Sequence, residues 1–257
     1  MQALVFAAGL GTRLKPLTDT VPKALIPIGN RDGSAPKPML ERLLVKLYKQ
    51  GFDRIVINVH HLADQVEAFC HQFLKQHPDW KLTITFSDER SLLLETGGGI
   101  KKAASLLSSQ DPFLVHNVDI VSNLDAYTFY RIHCANALAA ERNGRPLLAS
   151  LLVSDRETAR YFLFDDYGAL VGWTNVKTGE VRSPYAHLDV AACHKKAFAG
   201  VHVISPSIFA LMEGWPDAFS IVDFYLKNAK NHLIMAYEMS QLDILDVGKP
   251  ESIKLLE

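Results

Sequence analysis

An apolar run, Ala3 to Phe6, opens directly into a loop in which Gly9 and Gly11 stand one residue apart, ahead of Arg13, Lys15 and Lys23. A strand that ends in a glycine turn is how a βαβ unit starts, and a βαβ unit commits the chain to parallel strands joined by helices. The same alternation continues downstream. Leu40, Leu43, Leu44 and Leu47 line one face of a helix predicted from Met39 to Lys49, with Gly51 as its stop. Ile55 to Val59 reads as the second strand, Ala63 to Gln76 as a helix closed by Pro78, and Leu82 to Phe86 as the third strand. Thr96 to Gly99 reads as the entry to a further helix, and Phe113 to His116 as a strand. Continuous apolar strands such as ALVFAA and RIVINV suit a mainly parallel sheet with helices on both faces.

The second half changes character. LLASLLVS, YFLF, ALVGW, LDVAA and FAGVHVI are strand-like, with turn signals at Asp165 to Gly168 and at Thr178-Gly179. These segments are expected to extend the sheet antiparallel and to form a lid over one edge. The fold class is therefore α/β: a Rossmann-like mixed, mainly parallel sheet with an antiparallel extension. At 257 residues and 48% hydrophobic, with no shift in composition to mark a linker, residues 1–257 are expected to form a single domain.

Composition removes several classes. A net charge of −1 argues against nucleic acid held by bulk electrostatics. No run of 18 apolar residues suits a membrane span, and Arg13 and Lys15 follow the first apolar stretch, which does not read as a signal peptide. A cytoplasmic location is expected. Cys70, Cys134 and Cys193 are odd in number and widely spaced, which suits three reduced, mostly buried thiols better than disulfides or a zinc site.

The loop has the chemistry of an anion cradle. Gly9 and Gly11 let backbone N–H groups approach an anion, and Arg13 and Lys23 carry charge that a polyphosphate would need. Pro16, Pro22 and Pro27 stiffen the segment and lower the entropy lost on binding. A dinucleotide fold would want a third glycine where Leu14 stands, and an acidic residue at the end of the second strand, where His60 and His61 stand. A nicotinamide-dependent oxidoreductase is therefore disfavoured.

AAGLGTRLKPLTDTVPKALIPI resembles the signature of the sugar-1-phosphate nucleotidylyltransferases, A-G-x-G-T-R-L-x-P-L-T followed by P-K-x-L. LETGGGI at 94–100, FLVHNVD at 113–119 and LDVGKPE at 245–251 agree in the order the family shows, and the similarity runs from Met1 to about Ile253. LETGGGI and the short chain are most similar to bacterial enzymes that make UDP-N-acetylmuramate from N-acetylmuramate 1-phosphate. They are also similar to short mannose or heptose 1-phosphate guanylyltransferases. The resemblance implies that a sugar 1-phosphate oxygen attacks the α-phosphate of a nucleoside triphosphate and that pyrophosphate leaves, with Mg²⁺ as cofactor. From the charge and the lack of an apolar span, no nucleic-acid or membrane partner is expected, and a monomer or small homo-oligomer is expected.

Carried over position by position, the resemblance implies that Ala8, Gly9, Gly11 and Thr12 contact the nucleotide through backbone groups. Arg13 would neutralise the departing pyrophosphate and Lys23 would contact phosphate oxygens in the transition state, on a loop expected to be exposed. Thr96 and Gly97 would lie against the base or ribose, Gly200 would face the sugar, and Asp119 and Asp246 would hold the magnesium. The family usually has glycine where this chain has Val118, and valine does not easily adopt positive φ. Either the site is altered there or Val118 narrows the pocket, so a noncatalytic nucleotide-sugar sensor stays open as an alternative.

Other candidates read as structural. Lys15 and Lys37 are expected to be solvated loop charges, Asp125 a helix cap, and Asp243 a bystander beside Asp246. His60, His61 and His116 lack metal-ligand spacing. Tyr161, Phe162, Phe164 and Trp173 suit hairpin packing. The loop between Ile28 and Pro38, NRDGSAPK, has no role assigned.

Overall fold

The computed structural model describes residues 1–29, 35–248 and 250–253. Most of the unassigned loop, positions 30–34, lies outside the described residues. In chain order the strands are β1 (Gln2–Phe6), β2 (Pro27–Ile28), β3 (Lys37–Pro38), β4 (Arg54–Val59), β5 (Thr83–Asp88), β6 (Phe113–Asn117) and β7 (Ile120–Ser122). They continue as β8 (Leu147–Ser154), β9 (Arg160–Phe164), β10 (Leu170–Asn175), β11 (Glu180–Arg182), β12 (His194–Ile204), β13 (Leu233–Glu238) and β14 (Ile244–Asp246). The helices are α1 (Met39–Lys49), α2 (Ala63–Gln76), α3 (Glu95–Lys102), α4 (Ala126–Arg142), α5 (Ile208–Leu211), α6 (Ile221–Asn228) and α7 (Pro250–Ile253).

Among the described residues, ten strands make one mixed sheet in the path β11-β10-β9-β12-β6-β1-β4-β5, with β8 pairing β12 and β13. The ladders β5-β4-β1-β6 are parallel, as the apolar runs predict. Phe6 stands level with Asn58 on one side and Asn117 on the other, so the carboxyl ends of β1, β4 and β6 reach a common edge. Open α/β sheets bind ligands beyond that edge.

Helices cover both faces. Leu40, Leu43, Leu44 and Leu47 of α1 are buried with Val66 and Phe73 of α2 and Phe129 of α4 against Ala3, Val5 and Ile57. Ile100 of α3 and Phe224 and Tyr225 of α6 are buried against Leu4, Val56 and Val115 on the other face. The leucine spacing of α1 supplies its buried stripe, and truncating Leu40 or Leu44, both fully buried, to alanine would cost about 2–5 kcal/mol. Gly51 ends the helix with φ 86°; its N–H donates to the Tyr48 carbonyl and that of Phe52 to the Leu47 carbonyl, the double closure that a left-handed residue permits. Asp125 caps α4 as expected, accepting from the Thr128 N–H at 3.0 Å.

β12 joins the two halves. Its end, Val201–Ile204, runs antiparallel to β6, whereas its start, His194–Lys196, pairs with β9 and continues into β10 and β11. The antiparallel extension is thus as expected, with the addition of a parallel pair, β13 with β8. LDVAA is not a strand. Asp189 accepts from the Ala191 N–H at 2.9 Å and winds Val190–Ala192 into a short 3-10 turn. The third strand begins at Thr83, not Leu82, and runs on to Asp88. Phe162, Phe164 and Trp173 are buried in the hairpin, where the Arg182 guanidinium lies 4.1 Å from the Trp173 ring centre. The thiols are free, but only Cys70 is buried; Cys134 and Cys193 are half-buried. No helix among the described residues is long and apolar enough to cross a membrane.

Candidate active site

A cleft of about 230 Å³ opens at the common edge of β1, β4 and β6, and Ala8, Gly9, Lys23, Thr96, Asn117 and Asp119 are among its lining residues. Gly11 has φ 62°, and a Cβ there would stand 2.7 Å from the Thr18 methyl and 3.2 Å from the Lys23 Cβ. Glycine is therefore required twice over at this position, for conformation and for room. The Gly11 carbonyl accepts from the Thr18 hydroxyl at 2.9 Å and from the Leu14 N–H at 2.8 Å, folding Thr12–Leu14 into a 3-10 turn that carries Arg13 on its exposed side. A Cβ on Gly9 would meet nothing within 4 Å, so its face is open to a ligand.

The start of the loop is held from below. Asn58 Oδ1 accepts from the Ala7 and Ala8 N–H groups at 2.7 and 3.1 Å, and its Nδ2 donates to Glu89 Oε1 at 2.9 Å. The second Glu89 oxygen accepts from the Leu94 N–H at 3.2 Å. Burial raises the Glu89 pKa, and the Asn58 and Leu94 donors offset part of that rise. Sequence reading missed both residues. The signal was a lone asparagine inside the apolar strand RIVINV, since a polar residue in a central strand is kept only when its groups are bonded. Because Asn58 takes its N–H, Ala8 can offer a ligand its carbonyl but not its amide.

Asp119 and Asp246 come together through a two-stranded ladder. β7 pairs antiparallel with β14, placing Asp246 opposite Ile120, and the Val247 N–H donates to the Asp119 carbonyl at 2.9 Å. The point where a Cβ on Gly248 would stand lies 2.8 Å from Asp246 Oδ1, 2.9 Å from Asp119 Oδ2 and 2.9 Å from an Arg13 guanidinium nitrogen. Lys23 closes the group, its ammonium forming an ion pair with Asp119. Its side chain is only 12% exposed, which corrects the expectation of an exposed loop lysine. Gly248 keeps its own N–H on Asp246 Oδ1 at 2.9 Å. Two carboxylates facing one point are a hard-oxygen donor pair of the kind Mg²⁺ takes together with phosphate oxygens. No group of three or more metal-ligating side chains occurs among the described residues.

The other expected residues are less direct. The Thr96 hydroxyl accepts from the Ile221 N–H at 3.0 Å, while its residue lines the cleft. Gly97 donates to the Phe219 carbonyl at 2.8 Å, and a Cβ on it would stand 2.3 Å from the Phe219 ring, so close packing of α3 on the Phe219 segment already requires glycine there. Glu95, also at the cleft, has φ 60°, one of two non-glycine residues with positive φ among those described. Gly200 has φ 73° at the register shift of β12, and a Cβ would stand 2.5 Å from the Asn117 amide nitrogen. Val118 lies outside the left-handed region, is 5% exposed, and packs in the core while lining the cleft. It therefore narrows the pocket without straining the backbone. Lys15 pairs with Asp19 and Lys37 with Glu41 on the surface, as solvated charges should.

Residues 2–162 match the nucleotidyl transferase family. The chain is 30% identical over 250 residues to the N-acetylmuramate alpha-1-phosphate uridylyltransferase of Caulobacter vibrioides, covering 97% of this chain and 93% of that protein. It is 27% identical over 260 residues to the mannose-1-phosphate guanyltransferase of Candida albicans, covering 98% of this chain and 62% of that one. In fold it is similar to HddC from Yersinia pseudotuberculosis complexed with GMP-PN, with TM-score 0.69 at 21% identity over 99% of this chain and 97% of that chain. A UDP-glucose pyrophosphorylase from Acinetobacter baumanii gives TM-score 0.72 at 16% identity, over 99% and 91%. The glycine loop, the sheet edge and the family match lead to one conclusion: this chain belongs to the nucleotidyl transferase family.

Proposed function

We propose that this enzyme, a sugar-1-phosphate nucleotidyltransferase, joins UTP to N-acetylmuramate 1-phosphate and releases pyrophosphate, with magnesium, in the cytoplasm. The observation that carries the choice of substrates is the end-to-end similarity to the Caulobacter uridylyltransferase. A second reading, GTP with mannose 1-phosphate, is supported by the similarity to the Candida protein, which also spans nearly all of this chain.

In the proposed reaction a sugar-phosphate oxygen attacks the α-phosphorus, the bond to the pyrophosphate oxygen breaks, and the chain's task is to position both anions and to offset charge. Gly9, Gly11 and Thr12 hold the triphosphate through the loop backbone, and Ala8 contributes its carbonyl. Arg13 stands where the pyrophosphate charge grows, and Lys23 exchanges Asp119 for α-phosphate oxygens as the nucleotide enters. The first turn of α3, at Thr96 and Gly97, backs the base. Gly200, packed against the Asn117 side chain, faces the sugar. Asp119 and Asp246 would hold Mg²⁺, which when bound lowers the repulsion between the two phosphates. The charges at the cleft argue against a sensor: Arg13, Lys23, Asp119 and Asp246 face one small volume, an arrangement suited to moving charge between phosphates. Mass-spectrometric identification of the product from UTP, GTP, CTP or ATP offered with a panel of sugar 1-phosphates tests the reading. UDP-N-acetylmuramate as the main product supports it; GDP-mannose as the main product replaces it with the second reading.

A further inference from the structure

We infer that Arg156 reads a carboxylate on the sugar, so that the enzyme selects acidic sugar 1-phosphates; the inference rests on the reading of the site given above. A second cleft of about 230 Å³ opens beside Asp246, between Ile120, Ala199, Arg156 and Ser252. No residue of the glycine loop lines it. Its walls instead flank the two proposed metal ligands and the proposed sugar glycine: Ile120 follows Asp119 in the chain, and Ala199 precedes Gly200. With the triphosphate in the first cleft, this second cleft is the space proposed for the sugar.

Arg156 is the cation of that space. Its Nη2 donates to the Phe198 carbonyl at 3.2 Å, which anchors one edge of the guanidinium. Among the described residues no carboxylate pairs with it. The adjacent Asp155 is engaged elsewhere, by Lys196 at 2.9 Å, an ammonium that Glu238 also holds at 2.7 Å. A guanidinium has five donors in a planar fork, and a fork with one edge fixed and no carboxylate paired with it among the described residues suits a bidentate carboxylate. With the sugar phosphate at the Asp246 end, substituents remote from the anomeric carbon lie at the Arg156 end. N-acetylmuramate carries an anionic lactyl ether on O3, whereas N-acetylglucosamine and mannose carry nothing charged there.

The test compares sugar 1-phosphates that differ only by an acid group, N-acetylmuramate against N-acetylglucosamine and glucuronate against glucose, in wild-type enzyme, Arg156→Met and Arg156→Lys. The readout is the ratio of kcat/KM between members of each pair. Wild-type enzyme should favour the acidic member by about 10- to 100-fold, the range of one charge-assisted contact. Arg156→Met should bring the ratio near one, and Arg156→Lys should fall between, because it keeps charge without the fork. Arg156 is exposed, and an unchanged unfolding temperature confirms that the variants fold. A wild-type ratio near one, or a ratio that Arg156→Met leaves intact, overturns the inference. Preference for glucuronate that Arg156→Met abolishes, with N-acetylmuramate rejected, keeps the role of Arg156 while removing the proposed substrate.

Discussion

Lys23 and Asp119 form an ion pair with side chains 12% and 15% exposed, tying the glycine loop to the end of β6. In the proposed reaction Lys23 would leave this pair for phosphate oxygens and Asp119 for the magnesium ion. The pair therefore holds two opposite charges ready in a half-buried site, where electrostatic interactions are stronger than in bulk water.

Lys23→Ala should lower turnover by about two to three orders of magnitude, the scale seen when one preorganised transition-state donor is removed. It should also cost about 1–3 kcal/mol of stability, since the half-buried Asp119 carboxylate loses its partner. Steady-state kinetics and urea unfolding of the same preparation check both. Turnover within a few fold of wild type would leave Lys23 with a structural role only.

Asp119→Asn, Asp246→Asn and the double variant should show similar, very low turnover, because two carboxylates that share one ion act as a unit. Each should need far more magnesium to recover any activity. Stability should separate them: Asp119→Asn breaks the Lys23 pair and lowers the unfolding temperature, whereas Asp246→Asn, with no such ion pair among the described residues, leaves it nearly unchanged. A magnesium titration of all three decides, and losses that multiply would show that the aspartates do not share an ion.

Gly248→Ala puts a methyl 2.8–2.9 Å from Asp246, Asp119 and Arg13 at once. The three groups must spread, so turnover should drop at least about tenfold, on the principle that small misplacements at a reacting centre are costly. The fold should persist because the methyl meets charged tips and not backbone. Kinetics with an unfolding control measure this, and wild-type turnover would mean that the three groups need not converge.

Much of this site was legible because its chemistry is concentrated in short contiguous stretches. Gly9, Gly11, Arg13 and Lys23 lie within one loop, and α1 announces itself through leucines at helical spacing and Gly51. The meeting of Asp119 with Asp246 was not readable from spacing: β7 and β14 have three residues each, too few to show a period. Asn58 and Glu89 escaped because their function is to bond backbone and each other, which leaves no motif. LDVAA misled because its short apolar run reads as a strand, whereas the Asp189 side chain closes a local turn.

Acidification should destabilise the fold before the carboxylates titrate. Burial lowers His116 and His133 to about 4 and His202 to about 3, from an ordinary value of 6.5. Below pH 6.5 the unfolded chain binds protons that these buried rings refuse, so their contribution, complete above that pH, is lost as pH falls from 6.5 toward 4. With all three engaged the slope approaches about 4 kcal/mol per pH unit. Urea unfolding at pH 7, 6 and 5 checks it. His133→Gln, which can still bond Ser150 and Ser205, should flatten the slope; a pH-independent stability over that range would contradict the account.

The most direct test of the central reading is pyrophosphate release measured as kcat/KM for UTP with N-acetylmuramate 1-phosphate and for GTP with mannose 1-phosphate, on one enzyme preparation with magnesium. The expected result is a clear advantage for the uridylyl reaction, at least about tenfold, a difference of about 1.4 kcal/mol in transition-state binding. Faster turnover with GTP, or no release with any pair, would contradict it.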